Sequence, residues 1–179
     1  MNIDDACKDV KLVLLDVDGV LTDGSIIVSD DGREMKRFNA RDGSGIKYLQ
    51  RAGLRVAFLS GRKTEAVDRR AVQLGVEDCL QGFTEKIPPY ESLLEKRGLE
   101  DKHVCFLGDD LMDIPVMRRA AFPVAVADAA PEVKAEAVYV TEAEGGRGAV
   151  REVAELILRY QGKWDAIISR YGLTSGDGP

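Results

Sequence analysis

Lys11-Leu12-Val13-Leu14-Leu15-Asp16-Val17-Asp18-Gly19-Val20-Leu21-Thr22-Asp23-Gly24 is an apolar run that stops at two carboxylates, two residues apart, followed by a glycine. A buried strand does not ordinarily end in paired acids. Two like charges about 4 Å apart repel by roughly 4 kcal/mol at an effective dielectric of 20. A cation has to sit among them, and a hard divalent metal is the simplest one. The stretch therefore reads as a strand with a carboxylate–metal site at its C-terminal end, where open α/β sheets hold their ligands.

Outward from this stretch, apolar strand-like runs alternate with helical ones. Strands are expected at 12–15, 55–59, 78–81, 104–107, 123–127 and 137–140, and helices at 45–52, 65–74, 88–97, 114–120 and 149–159. Gly53, Gly75 and Gly98 follow three of the helices as C-terminal stops. Strands separated by helices imply a doubly wound α/β fold with a mainly parallel, Rossmann-like sheet. The stretch 24–38 breaks the alternation. Its apolar Ile26-Ile27-Val28, the Asp31-Gly32 turn and the return through Glu34–Phe38 predict a β-hairpin projecting beside the acidic loop. An isolated hairpin is marginal, so its apolar side chains are expected to be covered by another subunit. One domain over 1–179 is expected, with a tail from about 163 whose last five residues, Ser175–Pro179, read as disordered.

Composition narrows the class. The 179 residues are 45% hydrophobic and 31% charged, with a net charge of −6, which disfavours a nucleic-acid surface. No apolar run approaches the ~18 residues of a membrane span, and Met1–Asp5 has no signal-like pattern, so a cytoplasmic protein is expected. Cys7, Cys79 and Cys105 are odd in number and form no CxxC pair; Cys79 and Cys105 read as reduced core residues. His103 reads as a lone surface histidine.

Four elements fall at the expected strand ends: Asp16-x-Asp18, Ser60-Gly61-Arg62, Lys86, and Gly108-Asp109-Asp110-Leu111-Met112-Asp113. Together they suit phosphoryl transfer to a carboxylate. Asp16 can attack phosphorus and carry an aspartyl-phosphate, while Asp18 can serve as acid and then base. Lys86 and a Mg²⁺ held by Asp16, the Asp18 carbonyl and Asp109 can neutralise the approach of carboxylate to phosphate. Ser60 can bind phosphate oxygens, and Asp110 and Asp113 can orient water or cap a helix. Plainer readings exist: Ser60 as the cap of the following helix, Lys86 as a solvated loop lysine, and Arg62 and Arg70 in surface pairs with Glu65 or Asp68.

This set of motifs, in this order, resembles the haloacid-dehalogenase-like superfamily. An acid at position 18 is similar to its phosphatases rather than to its transport ATPases or dehalogenases. Only 43 residues separate Asp16 from Ser60 and 25 separate Ser60 from Lys86, which leaves no room for a cap domain. Phe38-Asn39-Ala40-Arg41-Asp42-Gly43, Arg69-Arg70, Gln81-Gly82 and Gly145-Gly146-Arg147-Gly148 further resemble the family of 3-deoxy-D-manno-octulosonate 8-phosphate phosphatases. That resemblance implies a capless tetramer acting on an eight-carbon sugar-acid phosphate in lipopolysaccharide biosynthesis, with neighbouring subunits helping to form each site. It implies substrate contacts at Asp18, Asn39, Ala40, Arg41, Asp42, Gly43, Lys47, Arg62, Arg70 and Lys86. Arg62 favours the eight-carbon over a nine-carbon acid, since related nine-carbon phosphatases tend to carry glutamate there. Lys47 stands where arginine is expected, and the tail with Trp164 and Tyr171 departs from the family's usual end. Arg147 reads equally as a loop anchor or a contact to a neighbour. A signalling receiver is disfavoured because its phosphorylated aspartate would be needed near Gln81. A non-catalytic oligomerising domain is disfavoured by the intact acids.

Overall fold

A computed structural model describes residues 2–174; the expectation for Ser175–Pro179 lies outside them. Its core is a six-stranded, all-parallel sheet made of β1 (Leu12–Leu15), β4 (Arg55–Ser60), β5 (Asp78–Gln81), β6 (Val104–Gly108), β7 (Phe122–Ala125) and β8 (Tyr139–Val140), in the order β5-β4-β1-β6-β7-β8. β1 is the most apolar of these strands and lies inside the sheet, paired with β4 on one side and β6 on the other, with all four residues buried. The chain runs outward from β1 to β4 and β5, then returns to β6 beside β1. That reversal is the switch point at which such sheets bind ligands.

Among the described residues, eight α-helices accompany the strands: α1 (Ile3–Lys8), α2 (Ala40–Arg51), α3 (Glu65–Leu74), α4 (Ile87–Arg97), α5 (Ile114–Met117), α6 (Pro131–Glu136), α7 (Ala149–Tyr160) and α8 (Trp164–Ile168). Contacts divide them into two sets, α1, α2, α3, α7 and α8 against α4, α5 and α6, as a doubly wound sheet requires. α7 buries Ala149, Val150, Val153, Ala154, Ile157 and Leu158, a helical repeat along one face. β2 (Ile27–Val28) and β3 (Glu34–Met35) form the expected antiparallel hairpin, and no separate cap is present among the described residues. Ile26, Ile27, Val28 and Met35 are 41–62% exposed on it.

The structure corrects several expectations. α2 starts at Ala40, not Gly45, because the Asn39 side chain accepts from the Arg41 N–H at 2.7 Å and caps it. Gly45, inside this helix, serves close packing: a β-carbon there would come 2.9 Å from the Arg151 Cα of α7. His103 is buried rather than on the surface; its Nδ1 accepts from the Glu100 N–H at 3.1 Å, and Lys11 Nζ lies 3.0 Å from Nε2. The unforeseen helix α8 folds the tail back on its own chain. Trp164 packs edge-on against Tyr48 at 5.9 Å, and Arg159 lies over its ring at 5.1 Å.

Candidate active site

Strand pairing brings the acids together. Leu15 pairs with Leu107, and the Asp16 N–H continues the ladder to the Leu107 carbonyl at 3.0 Å. Asp16 therefore leaves β1 beside the Gly108-Asp109 turn. Ser60 ends β4 on the other flank, 2% exposed, and its Oγ accepts from the Arg62 N–H at 3.3 Å. It does not cap the next helix: Thr64 does, accepting from the Val67 N–H.

Lys86 immediately precedes α4 and is 2% exposed, so the solvated reading fails. Its ammonium donates to Asp16 Oδ1 at 2.6 Å and to Asp113 Oδ1 at 2.5 Å. Asp113 Oδ2 in turn accepts from the N–H groups of Asp109 (2.9 Å) and Asp110 (3.3 Å). Both Asp113 oxygens are thus committed to holding Lys86 and the Asp109 turn. Gly108 makes this possible, since a β-carbon there would lie 2.6 Å from that of Asp113.

Oxygens of Asp16, Asp109 and Asp113 lie within 4.8 Å of one another. Asp109 Oδ1 is buried and makes no hydrogen bond among the described residues. Burial, with the charge of Asp113 adding to it, pushes Asp16 up to about 7 against the pull of Lys86. Burial and the neighbouring Asp16 push Asp109 up to about 8. Burial alone would lower Lys86, but Asp16 and Asp113 raise it. One ammonium among two buried acids and the half-buried Asp109 leaves a deficit of positive charge, and an all-oxygen donor set with an orphaned carboxylate oxygen fits a hard divalent cation such as Mg²⁺.

A cleft of about 330 Å³ opens on these groups, lined by Asp16, Asp18, Ser60, Arg62 and Asp109, with Ile26 of the hairpin at its side. Asp18 pairs with Lys36, a partner that sequence reasoning missed, and Glu34 accepts from Arg62 Nη2 at 2.8 Å. The spacing Glu34-x-Lys36 was a usable signal, since residues two apart share one face of a strand. Arg62 pairs with the hairpin's Glu34 rather than with Glu65, which pairs with Arg69.

The other expected substrate contacts lie elsewhere on this chain. Ala40, Gly43, Lys47 and Arg70 line a second hollow, also about 330 Å³, together with Tyr171 of the tail. Lys47 Nζ donates to the Leu74 carbonyl at 2.5 Å, and Arg70 lies over the Phe38 ring at 5.6 Å with Nη1 on Gln73. Arg41 is exposed, and Asn39 Nδ2 donates to the Gly146 carbonyl at 3.3 Å. A substrate contact at Asp42 does not fit its position. Asp42 is 1% exposed and its carboxylate accepts from the Gly148 and Arg151 N–H groups at 3.2 and 2.9 Å, capping α7 from α2. Arg147 pairs locally with Glu144.

The haloacid dehalogenase-like hydrolase model matches residues 78–152. The 3-deoxy-D-manno-octulosonate 8-phosphate phosphatase KdsC of Escherichia coli K12 is 46% identical over 158 residues, 88% of this chain and 84% of that protein. This chain belongs to the 3-deoxy-D-manno-octulosonate 8-phosphate phosphatase family of the haloacid dehalogenase-like hydrolases. Among solved members, the Moraxella catarrhalis phosphatase in complex with magnesium, phosphate and KDO superposes with a TM-score of 0.92 at 40% identity, covering 94% of this chain and 97% of that one. A probable YrbI family phosphatase from Pseudomonas syringae superposes with a TM-score of 0.93 at 46% identity, over 96% and 97% of the two chains.

Proposed function

We infer that this chain is a Mg²⁺-dependent phosphatase that hydrolyses 3-deoxy-D-manno-octulosonate 8-phosphate to the free sugar acid and phosphate, in lipopolysaccharide biosynthesis. The observation that carries this reading is the placement of Asp16 at the end of β1, held by Lys86 and within reach of the orphaned carboxylate of Asp109, in a family whose relatives carry that activity.

Asp16 is the nucleophile. An oxygen of its carboxylate bonds to phosphorus as the bond from phosphorus to the sugar oxygen breaks, and Asp18 gives that oxygen its proton. Water then attacks the phosphorus of the aspartyl-phosphate, Asp18 takes the water's proton, and Asp16 leaves as a carboxylate. Lys86 fixes the Asp16 rotamer, and with the Ser60 hydroxyl supplies positive and donor character around the phosphoryl oxygens. Asp16, the Asp18 carbonyl and Asp109 are the groups that would hold Mg²⁺, whose charge offsets repulsion between carboxylate and phosphate dianion. Arg62, on the cleft wall, suits the substrate's carboxylate, which a guanidinium can engage with two parallel hydrogen bonds.

The chain acts as a homo-oligomer, a tetramer by family resemblance. Two features support this: the exposed apolar side chains of the hairpin, and the separation of Arg70 and Lys47 from the cleft, which leaves them able to complete a neighbour's site. The deciding experiment compares phosphate release from the eight-carbon and nine-carbon keto-sugar-acid phosphates with Mg²⁺. Preference for the eight-carbon substrate, abolished in Asp16→Asn, is expected; equal or reversed preference removes the substrate assignment.

A further inference from the structure

The hairpin's apolar side chains are exposed, but the side chain of its Lys36 is not. Lys36, just after β3, has a side chain only 1% exposed. Lysine is rarely buried unless paired. Its ammonium pairs with Asp18 Oδ1 and lies 3.1 Å from Glu34 Oε1, and Glu34 Oε2 accepts from Arg62 at 2.8 Å. Asp18, Lys36, Glu34 and Arg62 thus form a chain of alternating charge from the first loop, across the base of the hairpin, to the end of β4. The next residue, Arg37, pairs with Asp23, so consecutive side chains of the return arm grip both halves of the first loop.

The consequence lies in the geometry of Asp18. Its Oδ1 is held by Lys36, whereas its Oδ2 is buried and makes no hydrogen bond among the described residues. A free carboxyl rotor offers either oxygen in several places. One anchored by a buried ammonium offers a single oxygen in a single place, and a misplacement of about 1 Å at a reacting group can cost ~10²-fold in rate. Arg62 and Asp18 both line the cleft, and both are tied to the same hairpin base.

We propose that Lys36 is a positioning residue, which holds Asp18 with Oδ2 facing the leaving oxygen and, through Glu34, ties it to Arg62. The proposal deepens the assignment of Asp18 as the acid–base group and rests on it. The hairpin is then more than an assembly element: its base sets the acid and the substrate-reading cation as one unit.

The test uses full-length protein with Mg²⁺ and two substrates, the eight-carbon sugar-acid phosphate and p-nitrophenyl phosphate, whose phenolate departs without needing a proton. The parent reading is checked separately by wild type and Asp18→Asn: it stands if wild type turns over the sugar phosphate and the variant loses most of that activity. Lys36→Met is expected to lower kcat/KM at least tenfold for the sugar phosphate and less than threefold for p-nitrophenyl phosphate. Lys36→Arg is expected to restore it to within threefold, and Lys36→Met is expected to cost nothing further in the Asp18→Asn background. Equal losses on both substrates, no loss on either, or a further loss in that background would overturn the role. Glu34→Gln tests the second link even if Lys36→Met does not fold. It is expected to raise KM for the sugar phosphate at least fivefold and leave that for p-nitrophenyl phosphate unchanged; an unchanged KM for the sugar phosphate removes the tie to Arg62.

Discussion

Gly145 lies so close to Gly19 that a β-carbon at position 145 would stand 1.7 Å from the Gly19 carbonyl oxygen. The Gly146 N–H donates to the Val20 carbonyl at 2.8 Å, which closes the same contact. The glycine-rich loop before α7 is thus a clamp on the loop that carries Asp16 and Asp18. The obstacle at position 145 is backbone, which cannot swing aside as a side chain can. Gly145→Ala is expected to destabilise the protein by about 1–3 kcal/mol, the usual cost of overpacking, and to lower kcat at least tenfold by displacing the first loop. Urea unfolding and steady-state kinetics check both; wild-type values would refute the clamp.

Removal of the metal should abolish turnover and loosen the fold. Chelation with EDTA is expected to reduce activity to background, with recovery on adding Mg²⁺. At a hundred times its dissociation constant, Mg²⁺ should stabilise the chain by about 2.7 kcal/mol, read as a rise in melting temperature. Gly19→Ala belongs with this test, because its β-carbon would fall 2.0 Å from Asp109 Oδ2. That variant should need at least ten times more Mg²⁺ for half-maximal activity. An unchanged Mg²⁺ titration would show that Asp109 is not a ligand.

Lys86 stands between two carboxylates with its side chain fully buried. Lys86→Met should cost about 3–5 kcal/mol, the range for breaking a buried ion pair from one side, and lower kcat by about 10²–10³-fold, as loss of one transition-state donor does. Phosphate-release assays and chemical denaturation measure the two effects. Retention of more than a tenth of the activity would remove Lys86 from the reaction.

Asp78, at the start of edge strand β5, is 6% exposed and pairs with Lys96 at 2.8 Å and Arg97 at 2.7 Å. Burial by itself would raise its carboxyl, but Lys96 and Arg97 outweigh burial and hold it below its ordinary value. A depressed folded-state value means that the stabilisation is complete above the unfolded value of about 3.9 and is lost as pH falls through the folded one. Asp78→Asn should therefore cost about 1–3 kcal/mol at pH 7, as hydrogen bonds to charged groups do. The gap from wild type should close as the pH is lowered below 4. A gap independent of pH would mean that the pairing is not the source.

The exposed apolar row on the hairpin gives a test of assembly. Val28 is 62% exposed on β2. Val28→Lys puts a charge where a neighbour would cover an apolar surface, and is expected to lower the mass seen by light scattering and the activity together. If the wild-type chain is a monomer at micromolar concentration, a site completed by neighbours is excluded.

The sequence by itself carried the alternation of strands and helices, the parallel sheet, the hairpin and the positions of Asp16, Asp18, Ser60, Lys86 and Asp109. These follow from local pattern: apolar runs define strands, glycines stop helices, and acids at the end of an apolar run have no structural use without a cation. The tertiary structure alone decided what those patterns could not contain. Asp42 caps a helix more than a hundred residues away, Asp113 holds Lys86, Lys36 reaches Asp18, and His103 is buried. Each depends on which surfaces the sheet order brings face to face. A carboxylate, a lysine or a glycine looks the same in sequence whether its partner is substrate, backbone or a second side chain. Only packing, which leaves Asp42 no open oxygen and Asp109 one without a partner, tells them apart.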